Sequence, residues 1–268
     1  MKNVALKLSN KAAHAAATAL ISVSLLLVTT TAAHADEAQA KQILKSMSDY
    51  MAEQKAFTFE YDAILGVVTE GEQSLELASS GKVKLHRPNK VVATRSGGFV
   101  NLKTYFDGET MTILSKDDNL YTQMAIPGSI DNLISELTTK YDMPLPAGDL
   151  LATDSYDALM ADVIDVKDLG SGVIDGVECD YFALRKADVD LQIWVAHGDE
   201  PYPCRFVITS KDVVGQPSYS VQLRDWKAHK TLESKDFEFK NKTDAGEVEL
   251  QELRNTVLPP NFKAGDSQ

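Results

Sequence analysis

The chain has 268 residues, with 27 Lys and Arg against 39 Asp and Glu, a formal charge of -12 and 44% apolar residues. So acidic a surface repels phosphate backbones and anionic lipid, which argues against nucleic acid as a partner and against adsorption to a membrane by charge alone. The length suits one well-buried core or two small ones, and with no low-complexity linker and no internal repeat one domain is expected.

Residues 1–35 contain no acidic side chain. Lys2, Lys7 and Lys11 precede a short apolar run, Leu20 to Val28, and Ala33-His34-Ala35 places small residues where a signal peptidase reads. A cleaved signal peptide over 1–35 and residence in the periplasm are therefore expected; a retained anchor, the alternative, needs about 20 apolar residues. Loss of three lysines takes the charge from -12 to -15. No cysteine stands at the cleavage point, so no lipid tether and no permanent membrane anchor are expected.

Asp36 to Lys55 has helical period, with Ala40, Ile43, Leu44, Met47, Tyr50 and Met51 on one stripe. The pattern then changes to period two. Phe57, Phe59, Tyr61, Ala63, Leu65 and Val67 alternate with Thr58, Glu60 and Asp62, which predicts a long strand with one apolar face. Leu75, Leu77, Val83 and Leu85 continue the alternation, Arg87-Pro88-Asn89 turns, and Lys90 to Ser96 follows. Gly97-Gly98 marks a hairpin to Phe99–Phe106, Asp107-Gly108 a turn, and Thr110–Leu114 with Asn119–Met124 completes a meander. The tip Lys116-Asp117-Asp118 lacks the glycine and distal glutamate of a calcium loop and reads as a solvated turn.

Ser129 is a good N-cap for a helix carrying Ile130, Leu133, Ile134 and Leu137, ending between Tyr141 and Pro144–Gly148. A second short helix is expected over Ser155–Val163. Asp175-Gly176 then opens a second β run: Val177–Arg185, Val189–Ala196, Cys204–Ser210, Ser218–Trp226 and a last short strand at Phe237–Phe239. Gly170-Ser171-Gly172 reads as a turn. By parity, Trp194 and Trp226 fall opposite the apolar residues of their strands, toward the convex side. Periodicity fades after Asn241, so the domain is drawn over 36–250, with 251–268 as a loosely held tail.

Chemistry is sparse. His86, His197 and His229 are the histidines beyond the leader and share no metal-ligand spacing, so no metal site and no cofactor are expected. No nucleophile elbow, P-loop or dinucleotide fingerprint occurs. Asp188 and Asp190 lie on the polar side of an alternating strand, which leaves them solvated rather than primed for acid-base catalysis. Cys179 and Cys204 make an even pair for an oxidising compartment. If their strands flank Val189–Ala196 in a meander, however, two strand spacings of about 10 Å separate them, so a disulfide and two buried thiols both stay open.

Tyr105-Phe106-Asp107-Gly108, Tyr121, Ile126-Pro127, Ser129 to Ile134, Tyr141 and Pro144 resemble, as an ordered set, the exported bacterial family catalogued as DUF2092. So do Gly176 to Cys179, Asp190 to Trp194, Pro201 to Arg205 and Val207-Ile208-Thr209. The resemblance spans about Ala38 to Leu250. It implies the superfamily of the lipoprotein carrier LolA, the acceptor LolB and the lipoprotein LppX, whose members form an incomplete antiparallel barrel with helices over an apolar, acyl-binding concave face. Arg87 and Arg95 are both available for the carrier's functional arginine, and neither aligns with it residue by residue.

The expected fold is therefore α+β: a curved antiparallel half-barrel of 10–12 strands with an N-terminal helix and a helical insert over its concave face. The candidates for the inner surface are Phe57, Phe59, Tyr61, Leu65, Leu75, Leu77, Val83, Leu85, Leu191, Ile193, Phe206, Ile208, Tyr219 and Val221, with Ile130, Leu133, Ile134 and Leu137 as a lid. These residues suit either a cavity or an ordinary packed core. The expected function is non-catalytic binding or carriage of a lipid, acyl chain or lipoprotein. The alternative is a protein-interaction or sensor module with a filled core, its partner an envelope protein; an envelope hydrolase has no nominated nucleophile.

Overall fold

Alternation of apolar and polar residues over long stretches builds one large sheet. The computed structural model describes residues 31–69, 71–141, 143 and 148–257. The leader residues 1–30, and with them most of the expected signal peptide, lie outside the described residues. In chain order the elements are α1 (Thr31–Glu53), β1 (Ala56–Val68), β2 (Ser74–His86), β3 (Lys90–Gly97), β4 (Val100–Phe106), β5 (Thr110–Ser115) and β6 (Leu120–Ala125). They continue with α2 (Ile130–Thr139), a 3-10 turn at Gly148–Leu151, α3 (Ser155–Met160), β7 (Asp165–Ile174), β8 (Val177–Arg185) and β9 (Val189–Ala196). The last are β10 (Pro203–Ser210), β11 (Ser218–His229), a 3-10 turn at Ser234–Phe237, β12 (Gly246–Glu247) and α4 (Leu250–Val257).

The sheet has 12 strands in the order β12-β6-β5-β4-β3-β2-β1-β11-β10-β9-β8-β7. Two meanders join where β1 pairs with β11, and every pairing is antiparallel except β12 with β6. The outer strands do not pair with each other, so the sheet stays open, and helices cover one face. This is the expected α+β half-barrel: alternation predicts the strands, and the family resemblance implies their topology.

Register places the apolar positions in rows across the concave face. Phe57 stands opposite Leu85, Phe59 opposite Val83, Leu65 opposite Leu77 and Val67 opposite Leu75. On the other side Ile193 pairs with both Phe182 and Phe206, and Leu191 with Leu184 and Ile208. α1 lies in this trough and buries Ala40, Leu44, Met47 and Met51 almost completely. Burying each of the last three contributes about 1.5–3 kcal/mol, which is why so polar a helix docks at all. A second cluster, Phe106, Met111, Ile113, Met124 and Ile126, packs under Leu133 and Leu137 of α2 and Leu253 of α4.

Polar links lock the helices to one another. The Ser48 hydroxyl of α1 accepts the Tyr156 N–H at 3.0 Å and meets the Ser155 hydroxyl at 2.9 Å, both serines being buried. This supplies an acceptor to the otherwise orphaned first turn of α3. Arg87 donates from Nη2 to the carbonyls of Met51 (3.3 Å) and Leu151 (2.9 Å), tying the end of α1 to the 3-10 turn. Burial pulls its guanidinium below the usual range. Ser129 caps α2 by accepting from Asn132 N–H, as its sequence position predicts.

Several expectations are corrected. Gly170-Ser171-Gly172 is part of β7, where a register shift between Asp168 and Ser171 accommodates Gly170 at φ +85°. Phe237 belongs to a 3-10 turn rather than a strand and is wholly buried. Of the segment 251–268, read as a loosely held tail, the first residues belong to α4, with Leu253 buried, and residues 258–268 lie outside the described residues. The helix expected over Ser155–Val163 stops at Met160. The acidic tip is an exposed turn, as expected, with Ser115 donating to Asp118 (2.6 Å) and Asn101 of β4 to Asp117 (2.7 Å).

Trp226 is the most consequential correction. Asp225 takes a left-handed conformation (φ 51°) at a register shift between β1 and β11. The extra residue reverses the parity beyond Leu223 and turns the indole onto the concave side. There it packs 4.8 Å from Phe57, 5.1 Å and nearly parallel to Tyr202, and within reach of Phe59 and Tyr50. Trp194 follows its strand parity: it lies on the convex side, stacked on Tyr181 at 4.2 Å with the Arg205 guanidinium 5.6 Å from its ring.

Candidate functional site

The concave face divides into a filled half and a less covered half. Phe57, Phe59, Val83, Leu85, Leu191, Ile193, Phe206 and Val221 are buried in one cluster with α1. Tyr61, Leu65, Leu75, Leu77, Ile208 and Tyr219, toward the other end of the same strands, are only half-buried. Sequence pattern alone puts all fourteen on one wall. What separates them is how far α1 reaches along it.

Between the two halves lies an apolar cavity of about 190 Å³. Its floor is Val189, Leu191, Ile193 and Ile208, its roof Leu150 of the 3-10 turn with Ser155, Ala158 and Leu159 of α3, and Lys186 stands at its edge. The roof is thus α3 and the turn before it. α2, the sequence's lid candidate, sits across the clusters instead: Ile130 and Ile134 face the α1 cluster, Leu133 and Leu137 the second one. The apolar side chains of the roof, Leu150, Ala158 and Leu159, were missed as candidates; the helical period of Ser155–Val163 was the signal that could have found the last two.

A larger depression of about 810 Å³ opens at the outer side of α1, lined by Gln39, Gln42, Ser46, Asp180, His197 and Pro201. It is wide open, with Ala38, Ile43 and Ala196 among its polar residues, so it offers no enclosure. His197 Nε2 lies 2.7 Å from Asp180 Oδ1, and Nδ1 lies 3.7 Å from Glu178. The hydrogen bond to Asp180 holds the imidazole above its ordinary value near 6.5; burial opposes it, and the charges of Asp180 and Glu178 add to it. A group raised on folding stabilises when protonated, fully below the unfolded value and progressively less as pH rises through the folded one. His197→Gln is therefore expected to lower Tm more at about pH 5.5 than at about pH 9, measured by thermal unfolding.

Cys179 and Cys204 come together despite their strands' separation. β8 and β10 do flank β9, as the meander geometry assumed. However, Cys204 sits in a register shift between Pro203 and Arg205, at the end of β9 where only the small Ala196 intervenes. The two Sγ atoms approach to 2.7 Å, both buried, and both are thiols here. The Cys204 S–H would donate to a Cys179 thiolate, which pulls Cys179 below its usual range and, with burial, pushes Cys204 up. Protein recovered from an oxidising compartment is expected to titrate no free thiol after denaturation, and its peptide map to link these two cysteines. Two titratable thiols would contradict this.

Among the described residues no group of three or more His, Cys, Asp or Glu is placed to hold a metal ion, and no helix is long and apolar enough to cross a membrane.

The model of family DUF2092, described as "Predicted periplasmic protein", matches residues 40–251. The chain belongs to this family. Periplasmic residence follows from the family's description. No curated protein is significantly similar to the chain. Among solved structures, an uncharacterized conserved protein from Thermus thermophilus is 11% identical, with 78% of this chain and 98% of that chain covered at a TM-score of 0.46. The lipoprotein LppX of Mycobacterium tuberculosis is 14% identical over 74% and 99%, at 0.42. The MucA/MucB complex of Pseudomonas aeruginosa matches at 11% identity over 75% and 61%, at 0.43.

Proposed function

We propose that this DUF2092 protein is a non-catalytic periplasmic carrier that holds an acyl chain on the concave face of its sheet. The observation that carries the reading is the run of half-buried apolar residues, Leu65, Leu75, Leu77, Ile208 and Tyr219, that leads into the cavity under α3. The enclosed volume is below the 300 Å³ or so at which small-molecule pockets begin. It therefore takes the end of a chain, and the open wall takes the rest. Each buried methylene contributes about 0.8 kcal/mol, so a long chain is held without any covalent step. Titration with a fluorescent fatty-acid analogue tests this: saturable binding, displaced by unlabelled fatty acid, is expected, and its absence overturns the reading.

A second reading, a protein-interaction module with a filled core, draws on the tight packing beneath α1. It predicts a stable envelope-protein partner recovered by cross-linking, and no acyl binding.

A further inference from the structure

A cation, Arg95, stands on the apolar wall. Register across β1, β2 and β3 aligns Tyr61, Gly81 and Arg95 in a single row of the concave face, with Leu102 of β4 next in line. Gly81 is required there: a Cβ would lie 2.5 Å from the Tyr61 ring and 2.0 Å from the Thr94 carbonyl. The Tyr61 ring therefore lies down over Gly81 and donates its hydroxyl to Thr94 O at 2.9 Å. The adjoining row is Ala63, Ser79 and Gly97, all small, with Ala63 and Ser79 buried. Arg95 stands at its edge, half-buried, with Nε donating to the Ser79 hydroxyl at 3.2 Å.

No carboxylate pairs with Arg95 among the described residues, in a chain where acidic side chains outnumber basic ones. Arg185 bonds Asp190 and Arg224 bonds Asp62, whereas Arg205 lies over Trp194 and meets Gln222, and Arg87 bonds backbone carbonyls. A guanidinium on an apolar wall keeps four further N–H donors in a planar fork that fits a carboxylate. Tyr219 lies on the same face, paired with Leu65 and Ile208 two rows from Tyr61, and the Arg95 charge pulls against the rise that burial gives its phenol. From Tyr219 the wall continues through Ile208 to Leu191 and the cavity under α3.

We infer that Arg95 binds the carboxylate of a single-chain fatty acid whose tail runs past Tyr219 and Ile208 into that cavity. The inference rests on the carrier reading and adds to it a head-group site and a direction. The span from β3 to β9 is five strand spacings, about 24 Å, so the site selects long chains. Ser79 holds the guanidinium through Nε and leaves its outer edge for the ligand.

The test compares palmitate with hexadecanol, its neutral counterpart, by displacement of a fluorescent acyl probe from the full-length mature protein and its Arg95→Gln and Arg95→Lys variants. Arg95→Gln is expected to weaken palmitate about tenfold or more and to change hexadecanol less than about twofold, while Arg95→Lys keeps most of the palmitate affinity. Equal binding of palmitate by Arg95→Gln and wild type overturns the head-group site and leaves the carrier reading standing. Loss of both ligands in Arg95→Gln assigns the arginine to structure and also overturns it. Failure of wild type to bind either ligand removes the carrier reading and the site together.

Discussion

Phe57→Ala is expected to destabilise the protein by about 3–5 kcal/mol, the range for emptying a fully buried phenylalanine site. The side chain has no exposed surface and sits between Phe59 and Trp226 beneath α1, with ring centroids 6.2 and 4.8 Å away. Its neighbours cannot collapse into the space, because Trp226 is held at once by Tyr202, Tyr50 and the register shift that turns it inward. Leu65→Ala, on the same strand face beyond the reach of α1, removes a half-buried side chain and is expected to cost about 1 kcal/mol. Urea unfolding with unchanged slope reads both values. Similar losses at the two positions would mean that the wall is equally covered along its length.

Ile208→Asp should have the opposite profile. Ile208 is half-buried, paired with Tyr219 and Leu191 and part of the floor of the cavity. In the free protein a carboxylate there keeps partial access to water, so the stability loss is expected to stay within about 2 kcal/mol. A bound acyl chain would strip that water away and leave the charge without a partner. Desolvation without compensation costs at least about 3 kcal/mol, so affinity for a fatty-acid probe is expected to fall about a hundredfold or more. Unchanged binding by a folded Ile208→Asp protein would place the ligand elsewhere.

Strand faces were legible in the sequence because period two is enforced by the pleat. Phe57, Phe59, Tyr61 and their partners on β2, β9, β10 and β11 all lie on the wall their parity assigns. The alternation breaks down only where the backbone inserts a residue. At Asp225 a single left-handed residue carries Trp226 to the other face, and at Pro203–Arg205 an irregularity brings Cys204 to Cys179 over Ala196. In β7 the two glycines that ease a similar shift hide the strand as a turn. None of these has a period to betray it.

The division of the wall was illegible for a different reason. Which residues become core and which stay half-buried depends on the length and docking of α1, and that docking is decided by contacts remote in sequence, such as Ser48 with Ser155 and Arg87 with Met51 and Leu151. Arg95 shows the same limit. Its parity with Ala93 and Val91 was readable, but its lack of an acidic partner among the described residues and the Tyr61 ring lying over Gly81 beside it emerge only when three strands are aligned.

The most direct measurement is mass spectrometry of organic extracts from the protein purified natively from the periplasm without detergent. Acyl-chain binding on the concave face predicts a fatty acid or acyl lipid recovered near one equivalent per chain, and its depletion in Ile208→Asp. Repeated preparations yielding no lipid above a buffer control, together with no uptake of a fluorescent fatty acid, would contradict the account.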